Sequence, residues 1–149
     1  IRAIDQVYRL LDLMDEFGVT GTFFVLAWIA ERAPAMVPRI AAAGHEIASH
    51  GWDHQLVTRM TPEQFAADVA RSRQLLEDQS GKPILGYRAP SYSINRSNLW
   101  AHDVLLQSGY RYSSSIFPGR HDIYGMPDAP RFAHRVAGGQ LLEVPVTTV

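Results

Sequence analysis

Residues 36–49 read MVPRIAAAGHEIAS, and their order decides the architecture: a helical run, a glycine where a helix C-cap belongs, and a short strand directly after it. The same helix-then-strand order recurs on both sides. Toward the N-terminus, TGTFFVL (residues 20–26) is rich in aromatic and β-branched residues and apolar without alternation, which predicts a parallel strand covered on both faces. Before it, Ile4, Val7, Leu11, Met14 and Phe17 recur at helical spacing, and Gly18 follows as a stop. Toward the C-terminus, Thr61, Pro62 and Gln64 supply an N-cap, a first-turn proline and a capping-box partner, and Phe65, Val69, Ser72 and Leu76 mark one face of a helix. Gly81 and Pro83 end that helix, ILGYR (84–88) predicts a strand, and SNLWAHDVLLQ (97–107), stopped by Gly109, predicts another helix before YRYSSS (110–115). Such alternation implies right-handed crossovers and a parallel sheet, in a doubly wound fold or a barrel.

The periodicity fails from Ser114 to Arg135, where FPGRHDIYGMPDAPRFAH (117–134) predicts one long loop, of the kind that is functional or disordered. LLEVPVTTV (141–149) then reads as a last strand. A chain that opens on a helix and closes on a strand suggests an α/β unit truncated at both ends, with residues 1–149 forming a single partial domain. The exposed strand edges expected of such a unit would favour a homo-oligomer.

Composition narrows the chemistry. With 149 residues, 46% hydrophobic and 19% charged, the chain is long enough for one domain with a substantial core. Its net charge of −1, with no basic stripe, argues against a nucleic-acid partner. The absence of cysteine removes disulfides, thiolate catalysis and Cys-ligated metal, so His, Asp and Glu are the strong ligands left. No apolar run approaches the roughly 20 residues of a membrane span, and the first residues lack the pattern of a signal peptide.

Two stretches carry candidate chemistry. In HEIASHGWDHQ (45–55), His50 and His54 lie four apart just after a strand, where α/β folds build their sites. Two imidazoles at that spacing can converge on one cation, across a helical turn or from a tight loop, and Gly51 permits close backbone approach. Asp53 between them is a possible orienting partner or an exposed loop acid. His45 alternates out of phase with His50 and reads as a satisfied strand histidine. A zinc site usually takes a third protein ligand, for which His121, Asp122, His134 and Glu143 are the candidates within the chain. In GYRAPSYSI (86–94), Arg88 can clamp a carboxylate, or pair with a helix end or surface acid, and Pro90 fixes a turn that can aim the N–H of Ser91 or Tyr92 into a cleft as an oxyanion donor. Trp52 and Tyr92 flank the two motifs and suit either sugar stacking or core packing. Ser91, Ser93 and Ser113 to Ser115 lack the GxSxG elbow of a serine nucleophile.

In this order, TGTFFVL, GHEIASHGWDH, GYRAPSYSI and YSSSIFPGRHDIYGMPDAPRF resemble the polysaccharide deacetylases of carbohydrate esterase family 4, the nodulation-factor deacetylase homology domain. The loop and the HGxDH and RAPS segments are most similar to the exosortase-associated deacetylases of exopolysaccharide clusters. The resemblance implies a deformed (β/α) barrel with fewer than eight repeats, a divalent cation (zinc first, cobalt or nickel as alternatives), and hydrolysis of N-acetyl groups on an amino-sugar polysaccharide or oligosaccharide. It makes His50 and His54 metal ligands, Arg88 the group that orients a catalytic aspartate, Pro90 its turn, and Ser91 the oxyanion-stabilising N–H. The sequence leaves the compartment open, with a bacterial cytoplasmic or periplasmic setting as the expectation. The family's Asp-bearing first strand and late acid histidine have no counterparts in residues 1–149, so this stretch alone is expected to be nearly inactive. Ser113 stands where the subgroup has an aspartate. Similar segments occur in cyclic-amide hydrolases of the allantoinase type, and a noncatalytic carbohydrate-binding domain would keep the same groove.

Overall fold

The structure is a computed structural model that describes residues 2–148. Helix α1 (Arg2–Glu16) leads to strand β1 (Thr22–Val25), followed by α2 (Ala27–Arg32), α3 (Met36–Ala42), β2 (Glu46–Ser49), α4 (Pro62–Ser80), β3 (Gly86–Tyr87), α5 (Trp100–Gln107), β4 (Tyr112–Ser113), β5 (His134–Val136) and β6 (Leu141–Glu143). The strands form one sheet in the order β1-β2-β3-β4-β6-β5. Every pairing is parallel except β5 with β6, which is an antiparallel hairpin. The α/β reading with a mostly parallel sheet therefore holds.

Local chemistry explains the best-defined helix. At the start of α4 the Thr61 side chain accepts the Gln64 N–H and the Gln64 side chain accepts the Thr61 N–H, while Gly81 ends the helix in the left-handed conformation. Its apolar face, Phe65, Val69 and Leu76, is fully buried against the sheet side that carries Ile47, Tyr87 and Leu141, with Leu105 of α5 and Tyr110 closing the core. Each such side chain contributes about 1.5–3 kcal/mol by leaving water.

Three details differ from the sequence reading. Strand β1 is a sheet edge among the described residues, so Phe23 and Phe24 are half-buried rather than covered on both faces. Helix α2 falls between the first strand and Pro34, where six residues are too few to register a helical period. The predicted long loop gives up its last two residues to β5, and the strand read over 141–149 is regular only at Leu141–Glu143; Val149 lies outside the described residues. The face away from the helices is open: Thr22, Phe24, Glu46, Arg88, Tyr112, Ser114, Leu142 and Val144 line a hollow of about 470 Å³. Inward-facing positions of successive parallel strands thus share one concave surface, and its strand C-terminal end carries the candidate chemistry.

Candidate active site

His50 follows the last residue of β2, and its N–H bonds to the Val25 carbonyl, which fixes it beside the end of β1. Its side chain is oriented from β3. Nδ1 lies 2.7 Å from the Arg88 carbonyl, which can only accept, so Nδ1 carries the proton and Nε2 keeps its lone pair. Burial holds the imidazole below its usual pKa, with the charges of His54 and Arg88 acting the same way and the hydrogen bond to the Arg88 carbonyl opposing them. A neutral ring with Nδ1 donating and Nε2 free is the state a cation requires. The His54 ring stands edge-on to it with centroids 5.1 Å apart, brought round by a tight loop rather than a helical turn. His54 itself has φ of +68°, a left-handed conformation that non-glycine residues hold at a cost.

The loop between them is anchored from α4. Both Asp68 carboxylate oxygens lie 3.3 Å from the Trp52 N–H, and Gly51, with φ of +78°, comes so close that a Cβ there would meet Asp68 Oδ1 at 3.1 Å. Arg71 lies 3.3 Å over the Trp52 ring, occupying a face that sugar stacking would need. Burial pushes the Asp68 carboxyl up to about 6, against the Trp52 N–H; Asp53 raises it further and Arg71 lowers it. Because the folded value exceeds the unfolded one, the folded state binds the extra proton, and stability falls as pH rises between about 4 and 6. Asp68→Asn keeps an acceptor for Trp52 and is expected to stabilise the protein by about 2 kcal/mol at pH 7.5, after allowance for solvent screening. In urea melts the gain should shrink toward zero near pH 4. A gain of constant size from pH 4 to 7.5 would rule out the charge as its source.

Arg88 follows β3 on the open face of the sheet. Its Nε donates to the Ser114 carbonyl (3.0 Å) and its Nη2 to Ser114 Oγ (2.7 Å), and the guanidinium lies 4.2 Å above the Phe24 ring. Nη1 has no hydrogen-bond partner among the described residues. Pro90 is buried at the start of a one-turn 3-10 segment in which Ser91 and Tyr92 both have left-handed φ, +49° and +48°. The Tyr92 N–H is used by the Ala89 carbonyl, whereas the Ser91 N–H has no partner among the described residues, which narrows the two candidate donors to Ser91. His50, Arg88, Ser91, Tyr92, Thr22 and Phe24 line one cleft of about 570 Å³, beside which His54 sits on the loop.

The other candidates go elsewhere. His45 is buried with Nδ1 accepting the Gly21 N–H, as a satisfied strand histidine does. Asp53 is exposed and does not orient His50, whose partner is the Arg88 carbonyl, a backbone contact that no side-chain pattern announces. His121 stacks on Tyr124 at 3.9 Å, His134 Nδ1 bonds the Phe132 carbonyl, and Asp122 is exposed. Glu143, the last residue of β6, is fully buried. Among the described residues no group of three or more His, Asp or Glu assembles around a possible cation, and no carboxylate lines the cleft with His50.

Comparison with known proteins places this geometry. The family described as polysaccharide deacetylase matches residues 5–113, and a domain of unknown function (DUF3473) matches residues 114–149. The junction falls at the end of β4, yet β6 from the second segment pairs with β4 from the first, so both build one sheet. A peptidoglycan deacetylase of Helicobacter pylori is 32% identical over 72% of this chain and 36% of its own length. A crystal structure from Mycobacterium smegmatis, assigned to the polysaccharide deacetylases, superposes with a TM-score of 0.76 and 34% identity over 95% of this chain and 45% of that one. PuuE allantoinase superposes with a TM-score of 0.75 over 95% of this chain and 43% of that one, but at 23% identity it shares the fold alone. The chain spans less than half the length of these relatives. Since the family match covers both strand ends that carry His50, His54 and Arg88, the chain belongs to the polysaccharide deacetylase family.

Proposed function

We propose that this chain forms the metal-binding and oxyanion-stabilising half of an N-deacetylase that acts on an amino-sugar polysaccharide, with peptidoglycan-like and exopolysaccharide chains as the substrate class. The observation that carries the reading is that His50, Arg88 and Ser91 line one cleft at the strand C-terminal ends, with His50 Nε2, Arg88 Nη1 and the Ser91 N–H each without a partner among the described residues. Peptidoglycan deacetylation by the Helicobacter relative supports the substrate class.

His50 and His54 are the residues that would hold a divalent cation, zinc, cobalt or nickel: both are imidazoles, and His50 already has the tautomer that ligation needs. When bound, such a cation supplies Lewis acidity toward the acetamide carbonyl and the attacking water. The chain's own residues do the rest of the positioning. The Ser91 N–H, left without a partner among the described residues by the Pro90 turn, donates to the oxygen on which negative charge develops. Arg88, locked by Ser114 and Phe24, presents Nη1 to a carboxylate and so orients a general base. The apolar rings of Phe24 and Tyr92 limit water in the cleft.

The test is acetate release by the whole protein from N-acetylated chito-oligosaccharides and from peptidoglycan, before and after chelation. Release that stops with chelator and returns with Zn²⁺, Co²⁺ or Ni²⁺ is the expected result. Absence of acetate from both substrates would refute the deacetylase reading, and chelator-insensitive release would refute the cation.

A further inference from the structure

We propose that Glu143 is a positioning residue for the site: from beneath the sheet it fixes the Ser113–Ile116 segment, and through that segment the orientation of the Arg88 guanidinium. The proposal rests on the reading of Arg88 as a site residue, but its geometry stands apart from that reading. Glu143 ends β6 and is fully buried, a placement that is costly for a carboxylate unless every lone pair is used. Its Oε1 accepts two backbone N–H groups, from Ser115 at 2.8 Å and Ile116 at 2.9 Å. Oε2 lies 3.3 Å from Nε2 of His102 on α5, both side chains out of reach of water, and neither atom makes a hydrogen bond among the described residues, so the two amides at Oε1 are the hydrogen bonds that hold the carboxylate. Burial works to raise the Glu143 pKa, but the contacts with His102, Ser113 and Ile116 outweigh it and hold the carboxyl below its usual value.

The segment Glu143 holds is the one that grips the site. Ser114, between the last strand residue and the two anchored amides, gives its carbonyl and its Oγ to Arg88. Ser115 Oγ accepts the N–H of Ala89, the next residue after Arg88, and also the Ser113 hydroxyl at 2.8 Å. The three serines, which lack a nucleophile elbow, are thereby accounted for: one carboxylate holds the backbone at Ser115 and Ile116, and Ser114 and Ser115 clamp the Arg88–Ala89 step. The link also joins the two matched segments. Arg88 lies in the deacetylase match, whereas Glu143 and Ser114 to Ile116 lie in the domain of unknown function, so that domain supplies a structural support of the site.

The experiment follows the Arg88 Nε–H resonance by NMR in the whole protein, assigned by its loss in Arg88→Lys. In the wild type and in Glu143→Gln, which keeps an acceptor for both amides, the proton should be protected from exchange. In Glu143→Met, which fills the space without an acceptor, protection should be lost, and kcat for acetate release should fall about tenfold or more with KM within a factor of two. A folded Glu143→Met protein with Arg88 still protected would overturn the inference. Should that variant not fold, hydrogen exchange in the wild type decides: the amides of Ser115 and Ile116 and the Arg88 Nε–H should open together with equal protection. Arg88 exchanging well before the two amides would overturn it. Because the exchange readouts do not depend on turnover, a protein that is inactive yet shows protection of Arg88 in the wild type and its loss in Glu143→Met would count against the proposed function and leave the positioning role standing.

Discussion

His50→Asn is expected to reduce the affinity of the whole protein for Zn²⁺ or Co²⁺ by about 100-fold or more, since loss of a ligand should exceed the 10–100-fold typical of losing only a ligand's orienting partner. Asparagine is the informative replacement. Its amide N–H occupies the place of Nδ1–H and can still donate to the Arg88 carbonyl, so the contact between β2 and β3 survives while the lone pair at Nε2 disappears. His50→Ala removes both, and the half-buried Arg88 carbonyl left without a donor adds a stability loss of about 1 kcal/mol or more. Calorimetric titration with the cation, alongside thermal melts, separates the two roles. Affinity should drop in both variants, whereas the melting temperature should drop mainly in His50→Ala. Unchanged cation affinity in His50→Asn would mean that the free Nε2 is not a ligand. His54→Ala is the companion measurement, because two imidazoles 5.1 Å apart that share one ion must fail together.

The part of this site that was legible in the sequence is the part carried by side-chain spacing at strand ends. HEIAS stops where β2 stops and ILGYR runs one residue past the end of β3, so His50 and Arg88 emerge at one edge of a parallel sheet. Thr61, Gln64 and Gly81 announced α4 because capping chemistry is local. What could not be read depends on backbone atoms or on contacts between distant segments. The donor state of His50 is set by a carbonyl 38 positions away, and the choice of Ser91 over Tyr92 by which amide the turn consumes. Glu143 was a candidate third ligand only as one of the His, Asp and Glu residues left in the chain, and nothing in its sequence surroundings marks it as buried. Only the alternation of β6, which turns Leu141 and Glu143 to the helix side, removes it from the cleft. The α2 helix and the β5 strand were missed for a simpler reason: six residues and three residues hold less than two periods of their patterns.

Arg88→Lys should be nearly as damaging to turnover as Arg88→Ala, with kcat for acetate release down by about 100-fold in both and KM little changed, as expected when a group that orients the reacting partners is displaced. The reason lies in how the guanidinium is held. Two of its nitrogens are committed to Ser114, Nε to the carbonyl and Nη2 to Oγ, which fixes the plane of the fork and leaves Nη1 without a partner among the described residues, on a side chain that lines the cleft. A lysine ammonium keeps a positive charge above Phe24, but it is a point donor at the end of a flexible stem and cannot bind Ser114 twice while presenting a third donor in a set direction. Charge alone therefore does not rescue the function; a planar cation does. Adding guanidinium or ethylguanidinium to Arg88→Ala should recover part of the lost kcat, while ethylammonium at the same concentration should not. Near-normal turnover in Arg88→Lys, or equal rescue by the two cations, would show that Arg88 contributes field rather than orientation, and the assignment of Nη1 as the group that aims a carboxylate would fall.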